Sequence, residues 1–323
     1  MRGGASQGGP RQGGPRQIVR RLGWSLLVIW FVVTATFLMV VALPADPAKT
    51  ILGPRATPDA LARVNEHYCF EDSIPVQYGC WIENLAHGDL GESYRTRRPV
   101  TALLAERVWP TLQLALAALV LAVGIGVPLG MLAAVRRRRW PDRAVTAASL
   151  ILQSTPPFVI GSVLLYLVAY RWELLPLGGY GEGVIDRIAH LILPAATLAL
   201  AGVAYYARIT RAELVDTLRQ DYVRTAHSKG LSERDVLLRH ALRPALPPLV
   251  ALIGLDLGVL TGGAVVVESV FAWPGLGREL LQAILDVDMP VILGVVLFGA
   301  IAVAIANLLV DLIQLRLDPR LRD

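Results

Sequence analysis

Asp221 to Pro248 reads DYVRTAHSKGLSERDVLLRHALRPALPP, a basic stretch between two long apolar runs. Its order is polar helix, glycine break, second polar helix, then proline re-entry into apolar sequence. A connection that only joined two membrane helices would need far fewer residues. The first helix is predicted to run to about Ser228, with Gly230 supplying the reversal. Ser232 then caps a second helix with Asp235 at its third position, in the manner of a capping box. The stretch presents two short helices to something beyond the bilayer.

The sequence on either side sets the class. The chain has 323 residues, is 54% hydrophobic and has a mean hydropathy of +0.51, too apolar for an ordinary soluble domain. A bilayer core of ~30 Å needs about 20 apolar residues per helix. That ruler gives six spans: Leu22–Leu43, Leu112–Ala134, Ala144–Tyr170, Leu191–Ala207, Leu249–Val270 and Val291–Leu315. The predicted fold is an all-α polytopic membrane protein with six transmembrane helices. Its parts are a tail (1–20), a first helix (21–44), an extracytoplasmic insertion (45–108), a five-helix core (109–315) holding the 221–243 loop, and a tail (316–323).

A formal net charge of +5 raises the question of nucleic acid, but the distribution answers it. Arginines crowd into Arg16–Arg21, Arg136–Arg139, Arg208–Arg243 and Arg316–Arg322, which six spans place on one side. The positive-inside rule assigns that side, and both termini, to the cytoplasm. The first outward segment is acidic at Glu66, Glu71, Asp72, Glu83, Asp89 and Glu92, and no nucleic-acid partner is expected. Met1–Gln17 is Gly, Pro, Gln and Arg, too polar to bury apolar surface, and reads as disordered. The first apolar run is too long for a cleaved signal and reads as a retained anchor. Both cysteines, Cys69 and Cys80, fall in the outward segment, where an oxidising environment favours a structural disulfide.

Local punctuation refines the picture. Pro44 and Pro47 stop the first helix, Asp59–His67 and Val76–Ala86 read as amphipathic helices, and Pro99–Val108 as an interfacial helix ending at Pro110-Thr111. Gly124, Gly126 and Gly130 suit close helix packing in a membrane. Thr155-Pro156-Pro157 breaks the third span, freeing carbonyls for a cavity or marking a packing kink.

Several blocks together resemble the membrane subunits of bacterial ABC importers, in the peptide/nickel branch. Thr225-Ala226-x3-Gly230, followed by Leu242 and Pro244, resembles that family's "EAA" loop, with Arg224 at the place of the usual acid. LPADPA (Leu43–Ala48), PVQYGCWIENLAHGDLGESY (Pro75–Tyr94), STPPF (Ser154–Phe158) and LLPLGGYG (Leu174–Gly181) keep the family's order. VESVFAWPGLGREL (Val267–Leu280), DVDMP (Asp286–Pro290) and LDPRLR (Leu317–Arg322) complete the set. Pro-Ala-Asp-Pro stands where Pro-Gly-Asp-Pro is usual, and Asp256 where an uncharged polar residue is usual. The resemblance implies a type I ABC importer permease fold with cytoplasmic coupling helices, in the bacterial inner membrane. It also implies a second homologous permease subunit, two cytoplasmic ABC ATPases and an extracytoplasmic substrate-binding protein delivering di- or oligopeptides. Nickel or another small solute is the alternative cargo.

The candidate sites follow. ATPase coupling falls to Arg224, Thr225, Ala226, His227, Ser228, Lys229, Gly230, Leu231, Ser232 and Arg234. The cations, with Arg239, offer charge-assisted contacts, and Leu231 and Val236 offer apolar ones. The competing reading is a solvated loop on lipid headgroups. Pathway candidates are Gln153, Ser154, Asp256 and Glu268. Asp256 lies near mid-bilayer, where an acid costs ~2.5–3.5 kcal/mol. It either draws a peptide ammonium or hydrogen-bonds Gln153 or Ser154. Glu268 lines an outer gate or holds the turn after it. No phosphate loop surrounds Lys49 or Lys229, no GxSxG elbow occurs, and no metal-ligand spacing links the histidines. The chain is therefore read as a transport subunit and not an enzyme, binding no cofactor, with ATP and Mg in its partner ATPases. A proton-coupled carrier using Asp256 is the main rival reading.

Overall fold

The computed structural model describes residues 15–42, 57–59, 62, 65, 72–261 and 264–317. Within them the chain is helical, with one isolated bridge between Glu92 and Pro99. The helices are α1 (Pro15–Val41), α2 (Ile74–Ala86), α3 (Val100–Val135), α4 (Trp140–Ser154) and α5 (Pro157–Leu164), which continues as a π-helical stretch Leu165–Arg171. Then come α6 (Gly183–Thr217) and α7 (Asp221–Ser228). A turn of helix, Glu233–Asp235, leads through a π-helical stretch, Val236–Ala241, into α8 (Leu242–Thr261). The chain closes with α9 (Val265–Val270), α10 (Leu276–Leu285) and α11 (Met289–Leu317).

Among the described residues five helices are long and apolar enough to cross a bilayer, and the bent pair α4–α5, taken as one span, makes a sixth. The bend is 102°. Its cause is local: Pro156 and Pro157 lack amide hydrogens, and a residue before proline is pushed out of the helical region, so Thr155 adopts φ −94°, ψ 123°. The third span, 144–170, is thus broken where the sequence places the break, at Thr155-Pro156-Pro157.

Other boundaries differ from the sequence reading. Pro15–Gln17, expected in a disordered tail, begin α1, where proline is at home in a first helical turn. The expected interfacial helix at 99–108 is the first part of α3, which runs unbroken through Pro110 and Pro128. Neighbouring groups bond the backbone there: the Trp273 indole Nε1–H donates to the Pro110 carbonyl at 2.9 Å. The fifth span ends at Thr261 and a separate α9 begins at Val265. Gly262-Gly263 between them, like Leu43–Ala56, Cys69 and most of the expected helix 59–67, lies outside the described residues.

Packing turns on α3 against α6. A Cβ placed on Gly126 would lie 2.8 Å from the Val203 carbonyl oxygen, and one on Gly130 2.5 Å from that of Ala207. Only glycine permits that approach, and dispersion between close backbones replaces the hydrophobic force that lipid withholds. Gly124, the third glycine expected here, meets nothing within 4 Å. With 36 and 35 residues, α3 and α6 exceed a bilayer core, since about 20 residues suffice for ~30 Å. Each therefore projects beyond it.

Candidate coupling hairpin and membrane cleft

At one end of the bundle, α6 runs to Thr217 and the chain turns straight into α7. Gly230, at φ 76°, reverses it, a left-handed conformation that side chains strain to adopt. Ser232 caps the next turn as its spacing predicts: its Oγ accepts the Asp235 amide at 3.1 Å and donates to Asp235 Oδ2 at 2.7 Å. Val223, Ala226 and Val236 bury against one another beside Leu218, closing the two arms on each other. Val236 is 1% exposed, so the apolar partner contact expected of it is spent inside the hairpin. Ala226 likewise faces inward, while Leu231 is 40% exposed.

The other candidates face out: Arg224, Thr225, His227, Ser228, Lys229, Gly230, Ser232 and Arg234 are all exposed. Arg224 pairs only loosely with Asp221, at 3.4 Å, and Arg239 with Asp235 at 3.5 Å. Exposed pairs at these distances are worth ~0–1 kcal/mol, so the guanidinium groups remain available to a partner. The hairpin's root is firmer. Ala134 of α3, Leu214 and Val215 of α6, and Ala241 and Ala245 bury together beneath it. Beside them Arg211 pairs with the buried Asp142 through Nε and, at 2.9 Å, Nη2, and the Arg138 amide donates to the same carboxylate at 2.8 Å. Neither residue carried a sequence signal beyond its charge.

A second feature lies midway along the bundle. Asp256 of α8 opens into a cleft of about 330 Å³ walled by Ala118, Ala122, Leu198, Ala201 and Tyr205. Its partner is neither Gln153 nor Ser154, as one reading expected, but Tyr206, whose Oη donates to Asp256 Oδ2 at 2.7 Å. Gln153 and Ser154 sit exposed at the α4–α5 break, the Ser154 hydroxyl donating to the Leu150 carbonyl at 2.8 Å. They do not reach this cleft.

Glu268 is also apart from it. At the bundle end opposite the hairpin it is fully buried, accepting from Thr111 Oγ1 at 3.0 Å and from the Arg278 amide at 2.9 Å. Thr111 Oγ1 in turn accepts the Leu276 amide at 2.8 Å. Trp273, wholly buried, packs edge-on against Tyr180, and the Gly179 amide donates to the Phe271 carbonyl at 2.8 Å. The structure therefore places Glu268 as the clamp of the turn that follows it. The same end carries a second carboxylate clamp. Buried Asp288 accepts from Ser93 Oγ at 2.5 Å and the Tyr94 amide at 3.1 Å, and Asp286 pairs with Arg95, raising that guanidinium's pKa further. Cys80 sits on α2 close by, half-buried, whereas the other half of the expected disulfide lies outside the described residues.

The described residues thus form long apolar helices that carry a folded basic hairpin at one end. Residues 126–323 match the family described as binding-protein-dependent transport system inner membrane component, and residues 15–115 match its N-terminal companion. The chain belongs to this family. It is 41% identical over 311 residues to a peptide transport system permease protein of Brucella abortus (strain 2308), covering 94% of this chain and 98% of that one. It is 39% identical over 305 residues to the glutathione transport system permease protein GsiC of Escherichia coli O6:H1, with the same coverage, 94% and 98%. Among solved structures, an inward-facing MetNI methionine ABC transporter aligns with a TM-score of 0.58 at 20% identity, over 68% of this chain and 97% of that one. That likeness establishes the fold. This permease is a multi-pass membrane subunit of an ABC importer, a transport component and not an enzyme.

Proposed function

We propose that this permease forms half of the translocation pathway for di- or oligopeptides, paired with a second, homologous permease subunit. A substrate-binding protein delivers cargo on the extracytoplasmic side, and two ATPases act on the 221–243 hairpin from the cytoplasm, where both termini also lie. The observation that carries the mechanism is the hairpin's two-sided build. Its inner face, Val223, Ala226 and Val236, is locked, and its outer face offers Arg224, His227, Lys229 and Arg234. A rigid basic knob continuous with α6 and α8 converts a push on the knob into movement of two spans, which a floppy lipid-facing loop does not. Relatives named for peptide and glutathione transport support peptide cargo. ATP and Mg bind in the partner ATPases.

Gly230→Pro tests this. Proline fixes φ near −65°, far from 76°, and removes the amide that donates to the His227 carbonyl at 2.9 Å. In the reconstituted importer, ATP hydrolysis is expected to persist while ATP-driven peptide uptake falls at least about tenfold, a loss of ~1.4 kcal/mol in coupling. Full uptake with this hairpin broken would refute the coupling role.

A further inference from the structure

Asp256 is a carboxylate at membrane depth whose environment satisfies only half of it. Tyr206 bonds Oδ2 at 2.7 Å, while Oδ1 has no hydrogen-bond partner among the described residues. The lining of the cleft, Ala118, Ala122, Leu198, Ala201, Val259 and Leu260 among it, offers alkyl carbon, and Tyr205 adds an aromatic ring. An acid in such a place costs several kcal/mol unless it faces water, a partner or a cationic ligand. A packing role alone predicts both oxygens satisfied within the bundle, which is not what the geometry provides. One bound oxygen fixes the carboxylate, and one open oxygen in a cleft lined by an aromatic ring and apolar side chains suits a primary ammonium attached to hydrocarbon.

We propose that Asp256, held by Tyr206 and flanked by Tyr205, is a transit subsite for the protonated amino terminus of the cargo. This rests on the reading of the chain as half of a peptide pathway, and it assigns the cargo's charged end to a residue. A site of this kind holds the ammonium while the bundle changes state, so its loss reduces turnover more than delivery by the binding protein.

Two measurements on the intact importer separate this proposal from the reading beneath it. The first is cargo-independent: Ala201→Cys, lining the cleft, is labelled with a cationic or an anionic methanethiosulfonate, with the chain lacking that substitution as blank. The cation-to-anion rate ratio is expected to fall about tenfold when Asp256→Asn is added, and to recover with Asp256→Glu. A ratio indifferent to Asp256→Asn overturns the subsite. The second is ATP-driven uptake, at saturating binding protein, of a peptide free of lysine and arginine. Asp256→Asn is expected to lower maximal uptake about tenfold and Asp256→Glu to restore most of it. Undiminished uptake in Asp256→Asn, or failure of both variants alike, overturns the proposal. A parent importer that moves no peptide refutes the peptide reading instead, and the labelling ratio still decides the cation site.

Discussion

Thr111 shows how much can rest on one hydroxyl. It donates to Glu268 Oε1 and accepts the Leu276 amide, so it joins α3 to the buried acid and to the start of α10. Space around that acid is tight: a Cβ on Gly275 would lie 2.4 Å from the Glu268 carboxyl carbon. Thr111→Val keeps the volume but strands a buried amide and weakens the hold on a carboxyl, at a cost of ~2–3 kcal/mol. The detergent-solubilised permease is expected to unfold at lower temperature, while Thr210→Val is expected to cost less. Thr210 Oγ1 is buried with no hydrogen-bond partner among the described residues. Equal losses from the two substitutions would refute the clamp.

At the scale of the element, the coupling hairpin is stabilised from within. Burying a valine side chain is worth ~1.5–3 kcal/mol, and Val223 and Val236 spend theirs on each other, with Ala226 between. The capped turn at Ser232 and the reversal at Gly230 hold the arms in register. Val236→Asp puts a charge into that small core, where it costs about 3 kcal/mol or more without a partner. Backbone amides of 221–241 are expected to exchange faster with solvent, those of α3 to stay protected, and uptake to fall with the hairpin's order. Unchanged exchange would show that the hairpin needs no core of its own. The π-helical stretch at Val236–Ala241 joins this unit to α8.

Across the whole molecule, the chain is closed at the end opposite the hairpin by contacts between distant segments. Asp288 reaches back some 195 positions to Ser93, and Tyr78 hydrogen-bonds Thr34 of α1 at 2.7 Å, with Phe37 and Trp81 packed beside it. The described stretch 74–99 is thereby docked on α1 and on the start of α11. Asp288→Ala removes the acceptor of three donors at once, Ser93 Oγ and the Tyr94 and Arg95 amides. Trypsin is expected to cut near Arg95–Arg98 at least several-fold faster, while the long helices stay intact in the membrane. Equal cutting of parent and variant would show the insertion to be held elsewhere.

Sequence alone determined the class, the approximate spans, the reversal at Gly230 and the cap at Ser232, because each follows from composition or from neighbours within four residues. The bend at Thr155-Pro156-Pro157 was legible for the same reason, although its 102° was not. Residue type also singled out Asp256 and Glu268 as costly acids, but not their partners. Tyr206 lies 50 positions from one and Thr111 157 from the other. Which side chain meets a buried acid depends on how helices cross, and that is set by backbone approach at Gly126 and Gly130 and by docking between chain ends. Only the tertiary structure could turn Val236 inward, enclose Glu268 and leave Asp256 open to the cleft. Such outcomes depend on packing between segments far apart in the chain, for which local sequence carries no signal.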